Sequence, residues 1–286
     1  MKALVFGHNG QVATELRRQT GVTIQACGRD VADLTDPASC AALIATTDAD
    51  VVINAAAYTA VDKAESDVET ATLVNAVAPG VMAQAAAARG LPFVHISTDY
   101  VFDGAGTTPF VTNHATAPLS VYGQTKLDGE KAVQAAGGVF TIFRTSWVVS
   151  AHGNNFIKTM LRLGAERDQL NIVADQIGGP TTAADIAAVC VTAAQQLLAD
   201  SSKSGVYHIS GGADVSWADF ARAIFDMSGT SCAVNDIPST DFPTPAKRPY
   251  NSRLDNSLTA QTFGMPRPDW ADGVAAILQE LGAYKS

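Results

Sequence analysis

The chain has 286 residues, 47% of them hydrophobic, enough to bury a substantial core in one large or two modest domains. A formal net charge of −9 provides no footprint for nucleic acid and no attraction to an anionic membrane. Cys27, Cys40, Cys190 and Cys232 are scattered without a C-x-x-C spacing, which argues against a zinc or disulfide framework and for a reducing cytoplasm.

No apolar run approaches the length that spans a bilayer, and Met1 to Gly7 is too short for a signal peptide. The apolar run Lys2 to Phe6 predicts a buried parallel strand. It leads into Gly7-His8-Asn9-Gly10-Gln11-Val12-Ala13 and a helical pattern over Thr14 to Gln19. Strand, glycine turn and helix start is the context in which the first helical amides meet a pyrophosphate. The spacing is G-x-x-G-x-x-A, and Ala13 is still small enough for close helix–strand packing. Gly7 and Gly10 are therefore candidate cofactor residues.

Val22 to Ala26 predicts a second strand, after which a residue should face the adenosine ribose. Arg29 there would pair with a 2′-phosphate and favour NADPH, whereas Asp30 would hold a free 2′-hydroxyl and favour NADH. The two point in opposite directions. Asp33 is placed to reach the adenine edge, and Pro37 marks a helix start. Asp50 to Asn54 is the third strand, followed by Ala55-Ala56-Ala57-Tyr58-Thr59, where small residues let a flat ligand lie on the backbone or let a crossover pack tightly. Asp62 to Glu65 reads as a solvated helix start or a contact to substrate. Pro79, inside a long alanine-rich stretch, predicts a new helical segment or a kink.

Phe93 to Ile96 is a strand ending in Ser97-Thr98-Asp99-Tyr100, and His95 within it reads as a packed strand residue rather than a metal ligand. Ligands of open α/β sheets bind at the carboxyl ends of strands, so Thr98 is placed to offer its hydroxyl to a carbonyl. Then comes Val121-Tyr122-Gly123-Gln124-Thr125-Lys126. Tyr122 and Lys126, four apart, share one face of a helix. An ammonium beside a phenol lowers its pKa and suits it to pass a proton to or from a carbonyl oxygen. Val139 to Arg144 is the next strand.

Further on, Asn155 to Glu166 and Asp185 to Leu198 predict helices, and Leu170 to Ala174 and Val206 to Ser210 predict strands. Asp175 to Thr181 is too glycine-rich for either state. From Gly211 the chain turns polar and proline-marked, and Lys247, Arg248 and Arg253 form a local basic loop suited to a pyrophosphate or simply solvated. The expected fold is α/β, a Rossmann-type doubly wound parallel sheet. Residues 1–148 plus about 181–212 would form the dinucleotide domain. Residues about 149–180 plus 213–286 would form a smaller substrate domain.

The stretches NAAAYTAVDKAE from Asn54, STDYVFDG from Ser97, PLSVYGQTKLDGEKA from Pro118, FRTSWV from Phe143, GNNF from Gly153, DQIGGPT from Asp175 and PTPAKRPYNSRL from Pro243 carry a resemblance over nearly the whole chain. The chain resembles the extended short-chain dehydrogenase/reductase superfamily and, within it, the dTDP-4-dehydrorhamnose reductase family. The resemblance implies NADPH or NADH as cofactor and a dTDP-sugar as substrate, with hydride delivered to C4. Tyr122 would then protonate the C4 oxygen, Lys126 hold the nicotinamide ribose, and Thr98 orient the carbonyl with Asp99 beside it. By the same likeness Gly10, Gln11 and Val12 line the pyrophosphate, Asp33 and Leu34 the adenine, and Ala57, Tyr58 and Thr59 the nicotinamide half. Trp147 falls at the deoxysugar, and Asn154, Asn155 and Arg248 at the nucleotide.

Some members of the family join dimers through magnesium held by helix glutamates. Glu15 matches the first of these, but the helix after Pro180 begins Thr182-Ala183-Ala184. The expectation is no metal site and a monomer or weak homodimer, with any Mg2+ effect left open. Two rivals use the same fold. A non-catalytic regulatory subunit, like that of methionine adenosyltransferase, has no need of Thr98, Tyr122 and Lys126 together. A nucleotide-sugar dehydratase or epimerase usually has a second acid directly after Thr-Asp, where this chain has Tyr100.

Overall fold

The computed structural model describes residues 1–285. Its main sheet is six parallel strands in the order Gly205–Ile209, Phe140–Thr145, Phe93–Thr98, Val51–Asn54, Lys2–Phe6, Thr23–Cys27. Inner strands such as Val51–Asn54 are buried at every residue, as a sheet covered on both faces requires. The edge strand Thr23–Cys27 alternates between exposed and covered positions.

Helices Gln11–Arg18 and Ala183–Ala199 cover one face, packing Leu16, Ile186 and Cys190 on Val5 and Ile53. Helices Pro37–Thr46 and Ala78–Ala88 cover the other, with Ile44, Met82 and Ala86 on Leu4 and Val52. The strand order reverses at Lys2–Phe6, with Thr23–Cys27 on one side and Val51–Asn54 on the other, which opens a crevice at the carboxyl ends of Lys2–Phe6 and Val51–Asn54. This is the expected Rossmann-type doubly wound sheet.

Contrary to the expectation that no apolar run is long enough to span a bilayer, the helix over Val68–Ala88 runs on for 21 residues and is apolar enough to do so by length and composition. Ala71, Val74, Ala78, Met82 and Ala86 are buried inside the protein, which accounts for that character. Pro79 falls in the first turn of Ala78–Ala88, directly after a π-helical segment, Leu73–Val77. The new segment expected from proline is thus there, joined by a widened turn rather than a break.

A third apolar cluster forms away from the sheet, from Ile157, Met160, Phe220, Ile224, Trp270 and Leu278 among others. Helices Phe156–Glu166, Trp217–Ser228 and Trp270–Glu280 supply it. Parallel strands Gln169–Val173 and Ala233–Ile237 flank it. The glycine-rich stretch after Asp175 is not wholly irregular. Ile177–Gly178 pairs with Val215–Ser216 and Asn251–Ser252, and Thr181–Thr182 with Val148–Val149. Two-residue strands carry no periodicity, so only tertiary pairing reveals them.

Candidate active site

Gly7 ends the first strand at φ 115°, a conformation that favours glycine, and a side chain there would press on Ala13 and the Ala55 carbonyl. Helix Gln11–Arg18 starts at Gly10 with no side-chain cap and no acid in its first turn. Its leading amides are therefore free for an anion. Val12 and Leu34 turn their side chains into the core, so each can meet a ligand only through its backbone or outer edge. Asp33 accepts the Thr35 amide at 2.9 Å, which holds its carboxyl below the usual range and fixes the turn. Arg29 and Asp30 follow the strand Thr23–Cys27, and both are exposed.

The segment Ala55 to Thr59 is tied at two points. Asn54 Oδ1 accepts the Ala56 amide at 3.1 Å. Asn75, fully buried in the π-helical turn, accepts the Tyr58 amide at 2.8 Å and donates to the Tyr58 carbonyl at 3.0 Å. Asn75 carries no signal in the sequence, because its partner is 17 positions away and no spacing marks it.

Thr98 closes strand Phe93–Thr98 and caps a short 3-10 turn, accepting the Tyr100 amide at 3.2 Å. Its hydroxyl donates to Asp99 Oδ1 at 3.1 Å, while Asp99 Oδ2 is buried without a partner. Burial pushes the Asp99 carboxyl up to about 6, against the Ser252 and Thr98 hydroxyls that pull it down. The folded state thus binds this proton more tightly than the unfolded chain, and stability falls as pH rises from about 4 to about 6. Asp99→Asn is expected to gain on the parent by up to about 3 kcal/mol more at pH 8 than at pH 4 in urea unfolding. Parallel pH dependences for the two proteins would refute this.

Tyr122 and Lys126 lie in helix Val121–Ala135, whose start is fixed by Ser120 on the Gly123 amide and Glu65 on the Val121 amide. Gly123 lets the helix approach the Tyr100 carbonyl so closely that any Cβ would overlap it. Tyr122 meets Tyr100 edge-on, ring centroids 5.4 Å apart. The expected depression of the Tyr122 phenol is not found. Burial pushes it up to about 12, with only the Thr98 hydroxyl opposing. Lys126 does not reach it: its ammonium position lies beneath the helix, 2.7 Å from the Ile96 carbonyl and 3.3 Å from His95 Nε2. Desolvation lowers Lys126 to about 8.

Trp147 has φ 48°, an unusual backbone for a bulky residue, and stacks on Trp217 at 3.5 Å and 11°. Gly178 leaves room for its indole. Trp217, 70 positions on, gave no signal in sequence. Arg248 donates to Asp62 Oδ2 at 2.6 Å, and its Nη1 is buried without a partner. Asp62, read as a solvated helix start or a contact to substrate, thus holds the basic loop. Asn155 caps helix Phe156–Glu166 and donates to Gln11 Oε1 at 3.0 Å, which joins the glycine loop to the smaller unit. Asn154 and Asn155 border an open cleft with Lys158 and Arg162. Among the described residues no hydrogen bond joins either asparagine to Thr98, Tyr122 or Lys126.

Glu15 meets two groups that sequence reading did not supply, His152 and Glu280, with ligand atoms all within 4.8 Å. Glu280 comes from the last helix, not from the helix after Pro180. Arg18 Nη1 already lies among them, 2.9 Å from Glu280 and 3.2 Å from Glu15. A guanidinium at that point and an imidazole in the set do not suit Mg2+, which takes oxygen ligands in octahedral geometry.

Residues 1–283 match the family described as RmlD substrate binding domain. The chain is 44% identical over 289 residues to the dTDP-4-dehydrorhamnose reductase of Sinorhizobium fredii, covering 98% of each chain. It is 42% identical over 293 residues to that of Escherichia coli K12, again covering 98% of each. Among solved structures, a dTDP-4-dehydrorhamnose reductase from Clostridium acetobutylicum superposes with TM-score 0.92 at 36% identity, over 99% of this chain and 100% of that one. The Bacillus anthracis reductase in complex with NADP gives 0.90 at 32% identity, over 98% and 99%.

Proposed function

Because the chain belongs to the RmlD substrate binding domain family, we propose that it reduces the C4 keto group of dTDP-4-dehydro-L-rhamnose with NAD(P)H, giving dTDP-L-rhamnose. The observation that carries this reading is the juxtaposition at one crevice of Thr98, Tyr122 and the uncapped helix start after Gly10. Bound NAD(P)H supplies the hydride that reaches C4. Tyr122, fully protonated at neutral pH, gives its phenolic proton to the C4 oxygen as charge develops there. Thr98, which donates to Asp99 in the free protein, turns its one hydroxyl proton to the same oxygen and fixes the carbonyl, with Asp99 beside it. Lys126 holds the nicotinamide ribose and later supports return of a proton to Tyr122.

The glycine loop with Gly7, Gly10, Gln11 and Val12 fits a pyrophosphate. Asp33 and Leu34 would border adenine, and Ala57, Tyr58 and Thr59 the nicotinamide. Arg29 beside Asp30 is compatible with either cofactor, and the NADP bound to the B. anthracis relative supports NADPH. For the dTDP-sugar, the Trp147–Trp217 stack offers a flat apolar wall, and the unpaired Arg248 Nη1 offers a cation to the pyrophosphate. The separate apolar cluster of the second unit supports a substrate domain near residues 149–180 and 213–286. Four free cysteines support a cytoplasmic setting, and a monomer or weak homodimer fits the Arg18-filled acidic cluster.

The test is to mix the protein with NADPH and dTDP-4-dehydro-L-rhamnose and follow reduced-nicotinamide absorbance, then repeat with NADH. The expected result is stoichiometric loss with formation of dTDP-L-rhamnose. No loss with NADPH still bound would favour a binding subunit, and cofactor retained through purification a dehydratase or epimerase.

A further inference from the structure

His95 lies on the strand beneath the Tyr122–Lys126 helix, fully buried, and nothing in the chemistry above uses it. Both of its ring nitrogens are engaged. Nδ1 is 3.2 Å from Asn54 Nδ2, and Nε2 is 3.3 Å from Lys126 Nζ. Asn54 cannot reverse its amide freely, because its Oδ1 accepts the Ala56 amide. The amide nitrogen of Asn54 therefore faces His95, and Nδ1 must accept. A neutral imidazole has one N–H, so that proton sits on Nε2 and points at Lys126.

An ammonium has no lone pair with which to accept it. A neutral amine does: it accepts from Nε2–H and donates one of its own hydrogens to the Ile96 carbonyl at 2.7 Å. Doubly protonating His95 would bury two like charges side by side and is disfavoured. The position that Lys126 occupies here is thus a site for the amine.

We propose that His95 is a positioning residue that, with Asn54, forms a site for the neutral amine of Lys126 in the cofactor-free protein, so that at alkaline pH binding of NADPH draws the lysine out as an ammonium and takes up one proton. This rests on the reading of Lys126 as the ribose-holding lysine. The bookkeeping of the step is simple: water supplies one proton to Nζ, and no covalent bond changes.

The titratable or charged groups on the elements packed round Lys126 are few. His95 lies on the strand, and Tyr122 and Glu130 lie one turn away on either side along its own helix. Asp99 and Tyr100 follow the strand, and Arg144 on the neighbouring strand is bonded to Glu130. Glu65 is spent on the Val121 amide at the helix start. Asn75, from the π-helical turn, meets Thr125 and carries no charge. The lowered Lys126 value of about 8 makes the amine the main form of the free protein only above that pH.

The test is calorimetric titration of NADPH into the intact protein at pH 7 and pH 9, each in two buffers of different ionisation enthalpy, which reads protons taken up per cofactor. With Lys126 near 8 when free and higher in the complex, uptake should be about 0.9 at pH 9 and about 0.1 at pH 7. The NADPH Kd should weaken by up to about tenfold per pH unit above 8. His95→Gln presents an amide oxygen that accepts from an ammonium, so Lys126 stays charged and uptake at pH 9 should fall by at least about half. His95→Asn is the second variant should the first not fold.

Zero uptake in the parent at pH 9, or undiminished uptake in a folded variant, would overturn the proposal. No NADPH binding at either pH would instead overturn the cofactor reading on which it rests.

Discussion

Tyr122→Phe is expected to lower kcat by about 1,000-fold, within the range that a positioned general acid contributes. NADPH Kd should change little, because the phenol oxygen forms none of the contacts that hold the pyrophosphate or adenine. The argument runs through geometry before acidity. Tyr122 sits at the start of a helix pressed against Tyr100 by Gly123, beside Thr98 at the end of a central strand. Removing one oxygen leaves that packing intact, so the loss belongs to the proton and not to the fold.

The raised phenol also sets a pH expectation. With Tyr122 near 12 when free of ligand, the acid form is complete from pH 6 to pH 9, and a fall in rate over that range has to come from another group. Single-turnover rates of NADPH oxidation for parent and variant, with Kd measured separately, check both points. A variant within tenfold of the parent would remove Tyr122 from the role of proton donor and leave Thr98 or a bound water to supply it.

What could be read in advance follows a physical divide. Lys2–Phe6, Val51–Asn54 and Phe93–Thr98 were legible because strands buried on both faces are continuous apolar runs. Tyr122 and Lys126 were legible because helical spacing relates them within one turn. The state of Lys126 was not, since it depends on His95 and Ile96, about 30 positions away and met only across the strand–helix interface.

The expectation that the lysine charge would depress Tyr122 failed for that reason. Helices Trp217–Ser228, Ser257–Phe263 and Trp270–Glu280 were hidden by the polar, proline-marked run that separates them. Glu280 reached the Glu15 cluster from the far end of the chain, a contact that no local pattern announces.

Arg144→Met should destabilise the protein by about 3–5 kcal/mol, because it strands a buried carboxylate. Glu130 is fully buried and is held by Arg144 Nε at 2.9 Å, by Arg144 Nη2 at 2.6 Å, and by the Ser97 hydroxyl at 2.5 Å. Arg144 adds a bond to the Thr112 carbonyl at 3.0 Å and stacks over Phe102, 5.0 Å from its ring centre. The pair fastens helix Val121–Ala135 to two neighbouring strands, one of which ends at Thr98.

Its net worth differs from the cost of breaking it, since both ions had to leave water. Glu130→Leu combined with Arg144→Met should therefore recover much of the loss, leaving the double variant closer to the parent than either single change. Urea unfolding of the four proteins gives the coupling directly. If the double variant regains stability but not turnover, the pair serves to register Tyr122 against Thr98 rather than to hold the fold. If all three variants lose stability to the same degree, the packing around Phe102 and Ser97, not the buried ions, is what binds the catalytic helix to the sheet.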